Sequence, residues 1–160
     1  TRQAVGCTLD AYSASLLERG LKTFELRARR MSDNAMKVAE FLSRHKSVSR
    51  LQYPGLAGDR GHMAAKSQMH DGFGGMMAFD IGSSEDDAKR FISNLKLVVH
   101  AVSLGATESL ICVPFLTTML YLPPERRTSF GVRKNTVRLS VGIEDPEAII
   151  EDLRQALGKI

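Results

Sequence analysis

Apolar residues recur along the chain at two different spacings. Between Leu21 and about Arg44 they fall at three- and four-residue steps, which predicts one long amphipathic helix. Between Val137 and Val141 they alternate with Arg138 and Ser140, which predicts a strand with one apolar face. The chain therefore mixes helices with strands.

Capping and turn residues divide the rest of the pattern into shorter elements. Asp10 or Ser13 can cap a short helix that ends at Gly20, and Ser84 precedes an acidic first turn. Asp145-Pro146 begins the last helix, where a proline at the first helical position is well tolerated. The remaining predicted elements are strands at 48–53, 76–81, 97–102, 110–113 and 136–141, and helices at 62–69 and 84–95. This order predicts an α+β fold, a two-layer sandwich in which helices cover a mainly antiparallel sheet.

Length and composition fit one domain. The 160 residues are 43% apolar and 25% charged, with no internal repeat and no linker. No apolar run is long enough to cross a membrane, and no signal-peptide pattern begins the chain. Because the first residue is Thr1, we expect the chain to be part of a longer protein.

The net charge of +4 does not indicate nucleic-acid binding. Some of the basic residues form two clusters, at 27–30 and 126–134, which contain Arg27, Arg29, Arg30, Arg126, Arg127, Arg133 and Lys134. Neither cluster is interleaved with aromatic residues, and no nucleic-acid motif is present. We expect solvated helix faces or a subunit contact instead.

The cysteines and histidines do not form a metal site. Cys7 and Cys112 lack paired spacing, and no two histidines fall four residues apart. Cys112 lies in an apolar run and is expected to be a buried, inert thiol, in a reducing cytoplasmic setting.

Arg138 is the candidate binding residue within the alternating strand. The apolar face turns Arg138 to the opposite side, and a guanidinium on a stiff strand can bind a carboxylate with two hydrogen bonds. On the pattern alone, a solvated arginine on a half-exposed strand is the commoner explanation.

Besides Arg138, several short segments of the sequence occur in an order and at spacings that are informative together. They are RGLKT (19–23), NA (34–35), VAEFL (38–42), YPGL (53–56), GFGGM (72–76), SLG (103–105), ESL (108–110), PPER (123–126) and VRLSVGIED (137–145). Together they resemble the C-terminal domain of the pyridoxal-phosphate (PLP) enzymes of cysteine and methionine metabolism. That family includes cystathionine γ-synthase, cystathionine γ-lyase and methionine γ-lyase. The resemblance implies the same two-layer α+β architecture.

The resemblance also implies a substrate site. Arg138 matches the arginine that binds the α-carboxylate of the amino acid, and Ser103 matches a residue beside that carboxylate. Val102, Leu104 and Thr118 fall where residues of the substrate channel are expected. Val102 resembles the methionine γ-lyase pattern, since several cystathionine-processing members have glutamate there. Thr118 keeps the threonine of a Met-Thr-His segment whose histidine is replaced by Met119.

No set of residues for cofactor attachment is predicted in this chain. In the family, the lysine that carries PLP and the phosphate-binding residues precede the region covered. The resemblance therefore implies a substrate-recognising domain without catalytic residues of its own, joined to a PLP-binding domain in a homotetramer.

The expected activity of the whole enzyme is γ-elimination or γ-replacement on methionine, cystathionine or an O-acylated homoserine. The isolated chain is expected to be inactive. The sequence leaves the choice between lyase and synthase open. The alternative is a non-catalytic α+β module for regulation or oligomerisation, in which Arg138 would face solvent or a protein partner.

Overall fold

A computed structural model describes residue 6 and residues 8–160 of the chain; Cys7 lies outside the described residues. The helices are α1 (Ala11–Leu21), α2 (Phe24–Ser43), α3 (His62–Gln68), α4 (Glu85–Ser93), α5 (Pro124–Ser129) and α6 (Pro146–Leu157). The strands are β1 (Val48–Gln52), β2 (Met76–Ile81), β3 (Val99–His100), β4 (Leu110–Cys112) and β5 (Thr136–Ser140). A 3-10 turn at Pro114–Leu116 follows β4.

The strands form one sheet in the order β1-β2-β5-β4-β3. Every neighbouring pair is antiparallel except β3 with β4, which is parallel. Helices α2, α4 and α6 pack together on one face of this sheet. The predicted α+β sandwich with a mainly antiparallel sheet is therefore confirmed.

The core lies between these helices and one side of the central strands. Phe79 pairs with Val137, and Leu139 with Ile111, so their side chains share one face, and all four are fully buried. The other face carries Ala78, Arg138 and Cys112 in one cross-strand row. The burial predicted for Cys112 is confirmed, and its thiol is unbonded.

The alternation along β5 is less complete than predicted. Arg138 is half-buried, but Ser140 is buried, although it shares the side of the strand opposite the apolar core. The N–H of Gly105 donates to Ser140 Oγ over 2.9 Å, so the segment 102–105 lies against this end of the strand. A buried serine is tolerated there because its hydroxyl is hydrogen-bonded.

Strand β3 is shorter than the predicted 97–102. The N–H groups of Lys96, Leu97 and Val98 donate to the carboxylate of Asp152 on α6 instead of to a neighbouring strand. The carbonyl of Val102 accepts from Arg138. Because both ends of the segment are hydrogen-bonded elsewhere, only Val99–His100 remains in the ladder.

The segment after β4 contains elements that the apolar pattern does not indicate. Helix α5 begins with a proline and has almost no apolar residues, so no periodicity predicts it. Arg127 on this helix corrects the expectation of a solvated basic face, because it is buried. Its guanidinium donates to the carbonyls of Leu122, Phe115 and Leu120 over 2.7–3.0 Å.

No helix in residues 8–160 combines the length and apolar character needed to cross a bilayer. Across the same residues, no three His, Cys, Asp or Glu side chains come together as metal ligands could.

Candidate functional site

Arg138 lies at the centre of β5, between Ala78 on β2 and Cys112 on β4. Its Nη2 donates to the carbonyl oxygens of Val102 and Ser103, over 2.5 and 3.2 Å. These bonds hold the guanidinium against the segment that follows β3. The side chain is therefore fixed at both ends, by a central strand and by two backbone carbonyls.

Part of the guanidinium is left available. In the described part of the chain, neither Nε nor Nη1 of Arg138 has a hydrogen-bond acceptor. A guanidinium is permanently charged and carries N–H donors on all three nitrogens, so these two nitrogens can bind an anion. These two nitrogens lie on different edges of the guanidinium, so each can donate a single hydrogen bond to a carboxylate.

Ser103 is brought to Arg138 by its backbone. Its carbonyl accepts from Arg138, and its exposed hydroxyl makes no hydrogen bond among the described residues. Two residues later, Gly105 adopts a left-handed conformation, with φ of 72°, and donates its N–H to Ser140 Oγ. A glycine adopts this turn without the strain of a Cβ. The two predicted carboxylate-binding residues are thus adjacent.

A second set of hydrogen bonds holds the segment before β4 to the end of β5. The N–H and hydroxyl of Ser109 donate to the carboxylate of Glu144 over 2.5 and 3.0 Å, and the N–H of Gly142 donates to Ser109 Oγ over 2.9 Å. The N–H of Ile143 donates to the carbonyl of Thr107 over 2.8 Å. A Cβ at position 142 would collide with that carbonyl, so glycine is required there.

Helix α2 reaches the same region through Asn34. Its buried Nδ2 donates to the carbonyls of Gly142 and Glu144 over 3.0 and 2.8 Å. The sequence identified Asn34, Ser109 and Glu144 only as parts of the family pattern, and it missed their function as a support for the loops around Arg138. The sequence did carry one signal: these polar side chains stand within or beside predicted elements whose other residues are apolar and buried.

The other predicted site residues are less closely grouped. Val102 and Leu104 flank Ser103, and their side chains are 55% and 56% exposed. Thr118 is half-buried and follows the 3-10 turn. No hydrogen bond joins it to Arg138 or Ser103 within the described residues. The threonine that bonds the nearby backbone is Thr117, whose hydroxyl donates to the carbonyl of Val113.

The surroundings of Arg138 are open on this chain. Val102, Ser103 and Leu104, which lie beside it, are all exposed. A small ligand bound here would therefore remain accessible to solvent on this chain. Other parts of a longer protein would have to cover it.

The lysines are all exposed: Lys22, Lys37, Lys46, Lys66, Lys89, Lys96, Lys134 and Lys159. Lys22 and Lys89 pair with glutamates one helical turn away, as expected of solvated helix faces. A lysine that carries a cofactor is normally enclosed with it, so the described residues do not fit the covalent attachment of PLP.

The comparison with protein families decides the identity of the chain. The family described as "Cys/Met metabolism PLP-dependent enzyme" matches residues 1–158. This chain belongs to that family. Its members use PLP, so the resemblance seen in the sequence is confirmed together with the cofactor class of the family.

Curated relatives in the Cys/Met family are similar over the whole of this chain. A cystathionine γ-lyase of Bacillus subtilis (strain 168) is 46% identical over 99% of the chain and 41% of its own length. An L-methionine γ-lyase of Fusobacterium nucleatum subsp. polymorphum is 44% identical over 99% and 40%. The chain therefore spans about two fifths of the length of these relatives.

A solved structure agrees with the family assignment. It is described as an O-acetylhomoserine (thiol)-lyase of Campylobacter jejuni with N'-pyridoxyl-lysine-5'-monophosphate, and it superposes with a TM-score of 0.91. It is 34% identical and covers 98% of this chain, which in turn covers 37% of that protein. The fold of the Cys/Met family is thus present.

Proposed function

We propose that this chain is the substrate-recognising domain of a PLP enzyme of sulfur amino-acid metabolism. The longer protein would catalyse γ-elimination or γ-replacement on methionine, cystathionine or an O-acylated homoserine. One observation carries the proposal: Arg138 is fixed over Ser103 on a central strand, with Nε and Nη1 available for an anion.

Arg138 would bind the α-carboxylate of the substrate, and the exposed hydroxyl of Ser103 would donate a further hydrogen bond. Two contacts on one carboxylate fix the orientation of the amino acid as well as its position. Val102 and Leu104 would present apolar surface to the substrate side chain. Apolar contact favours a thioether such as that of methionine over the charged distal amino group of cystathionine. Thr118 would lie along the substrate channel.

PLP would be carried by a domain outside this chain. Relatives are more than twice as long as the matched region, and the lysines described here are exposed. We further propose a homotetramer in a reducing, cytoplasmic setting, which agrees with the unbonded thiol of Cys112.

The test is Arg138→Lys in the longer, PLP-loaded protein. Lysine keeps the charge but cannot bond both carbonyls and still present a fixed donor to the substrate, so we expect KM for the amino acid to rise about tenfold or more. Arg126→Lys, on an exposed side chain, is the matched control and should leave KM unchanged. An unchanged KM in the Arg138 variant would contradict the carboxylate role.

A second measurement uses the 160-residue chain by itself. We expect no turnover of methionine with added PLP, because the chain offers no attachment lysine and no enclosed site. Turnover by a pure sample would contradict the proposal that PLP is carried by a domain outside this chain.

The alternative function is a non-catalytic regulatory or oligomerisation module. The exposure of Val102, Ser103 and Leu104 beside Arg138 favours it, since a contact with another subunit needs these side chains to be accessible. A longer protein that binds no PLP, and in which Arg138→Lys changes only subunit association, would replace the enzyme proposal with this one.

A further inference from the structure

A cavity of about 470 Å³ lies beside edge strand β1, between that strand and the segment that follows α5. Its lining consists of Arg50, Gln52, Arg60, Ser129, Phe130 and Gly131. Two guanidinium groups line it and no carboxylate does. The cavity therefore has the electrostatic character of an anion site.

Arg50 is held in place on the cavity wall by the fold. It lies in a β-bulge between Ser49 and Gln52 and has a left-handed backbone, with φ of 47°. Its Nη2 donates to Asp80 Oδ1 over 3.0 Å, its Nε forms an ion pair with Asp80 Oδ2 over 3.0 Å, and the Asp80 side chain is only 1% exposed. The buried carboxylate of Asp80 therefore anchors the guanidinium of Arg50 and orders it before any ligand arrives.

Positive charge remains in excess around this ion pair. Asp80 also accepts from Arg133 Nη1 over 3.2 Å, so one carboxylate faces two guanidinium groups. Arg60 has no ion-pair partner among the described residues. Asp59, its neighbour in the chain, accepts from the N–H of Gly61 over 2.7 Å and lines a different cavity.

The free edge of Arg50 is accessible from the cavity. Nη1 has no acceptor in the described part of the chain, whereas Nε and Nη2 are occupied by Asp80. Gly131 lies opposite, with φ of 78°, and a Cβ there would lie 3.5 Å from Nη1. The absence of that side chain leaves room for a ligand atom beside the guanidinium.

We propose that this cavity binds a phosphate monoester whose organic part carries a planar ring. Arg50 Nη1 and Arg60 would donate to the phosphate oxygens, with Gln52 and Ser129 as neutral partners. The cavity is larger than one phosphate group requires, and the 63% exposed Phe130 offers an aromatic surface on which a ring can stack.

The experiment titrates the chain with methyl phosphate and with phenyl phosphate at constant ionic strength, followed by amide NMR shifts. We expect saturable shifts confined to Gln52, Arg60 and residues 129–131, with phenyl phosphate bound more tightly. Arg60→Gln should weaken binding about tenfold or more, because it removes one charged donor. Arg60 is exposed, so the fold is retained, as an unfolding curve will verify.

Arg90→Gln is the matched control, since Arg90 is an exposed arginine on α4 that does not line the cavity. It should change the affinity by less than about twofold. An equal loss in both variants, or shifts spread over the basic residues, would overturn the site in favour of non-specific attraction. Equal affinity for the two esters would overturn the ring preference. Loss of phosphate binding in the assembled longer protein would also overturn the proposal, because an acidic group of the protein itself would then fill the cavity.

Discussion

Arg126 and Arg127 are adjacent in the chain but lie in opposite environments. Arg126 is exposed, whereas Arg127 is buried with its guanidinium hydrogen-bonded to three backbone carbonyls and 4.9 Å from the ring centre of Phe115. In a polar stretch without periodicity, nothing in the sequence distinguishes the two. Only the path of the chain from Phe115 to Leu122, which surrounds the guanidinium, decides which arginine is structural.

Arg127→Lys is expected to lower the free energy of unfolding by about 2 kcal/mol, because an ammonium cannot reach three separate carbonyls in one plane. Arg126→Lys removes the same functional group from a solvated position and should change stability by less than about 0.5 kcal/mol. Urea unfolding of both variants measures the difference. Equal stabilities would show that the carbonyls of segment 115–122 do not depend on Arg127.

Arg138 shows what the sequence could predict at single residues. Alternation along one strand was enough to separate its side chain from the apolar core, and the family pattern added Ser103. The contact between them depends on backbone carbonyls at 102 and 103, which have no side-chain signature. The side of the strand on which Arg138 lies was therefore predictable, and its hydrogen bonds were not.

At the scale of elements, the segment 102–105 depends on Ser140. Without its hydroxyl, the N–H of Gly105 loses its acceptor on the protein. We expect Ser140→Ala to speed hydrogen exchange at Gly105 by at least about threefold. Ser93→Ala, on an exposed serine of α4, should leave that amide unchanged. Unaltered exchange at Gly105 in the Ser140 variant would mean that Arg138 alone holds the segment.

Asp152 joins helix α6 to the residues before β3. Burial raises the pKa of its carboxyl, but the N–H groups of Val98, Lys96 and Leu97 outweigh that effect and lower the pKa below its ordinary value of 3.8. A lowered folded-state pKa means stabilisation that is complete above the unfolded pKa and is lost as pH falls through the folded one. Acid should therefore weaken the connection between α6 and β3.

Asp152→Ala is expected to lower the free energy of unfolding by about 3 kcal/mol near neutral pH, since three N–H groups lose their acceptor. The difference from the parent chain should shrink as the pH falls below 3.8 and through the lowered pKa of the folded state. Glu151→Ala, on the exposed side of the same helix, should have less effect than about 0.5 kcal/mol. If the difference in unfolding free energy between Asp152→Ala and the parent chain did not change with pH, the stabilisation would not depend on the charge of the Asp152 carboxylate.

The contact between Asp152 and residues 96–98 explains why some elements could be predicted and others not. Strand β2 has the bounds expected from its apolar run, because its neighbours in the sheet complete its ladder on both sides. Strand β3 contracts because a carboxylate of α6, distant in sequence, takes its N–H groups. Local pattern predicts an element well where its partners are other strands, and poorly where side chains compete for its backbone.

At the scale of the whole molecule, helix α1 contributes no residue to the buried core. None of its residues is buried, and Tyr12, Leu16, Leu17 and Leu21 are between 49% and 74% exposed. Monomeric proteins rarely expose so contiguous an apolar surface. A helix this short is marginal in water without tertiary packing, even with Asp10 as its cap.

Hydrogen exchange tests whether the rest of a longer protein covers α1. In the 160-residue chain, we expect amides of α1 to exchange with little protection, while those around Ala35 and Val38 on α2 exchange only through global unfolding. In the longer protein, α1 should become strongly protected, because burial of its leucines adds apolar contacts that the chain alone does not supply. Equal protection of α1 in both proteins would mean that its apolar side stays exposed in the longer protein. Strong protection in the short chain alone would instead point to self-association through this helix, which dilution should reverse.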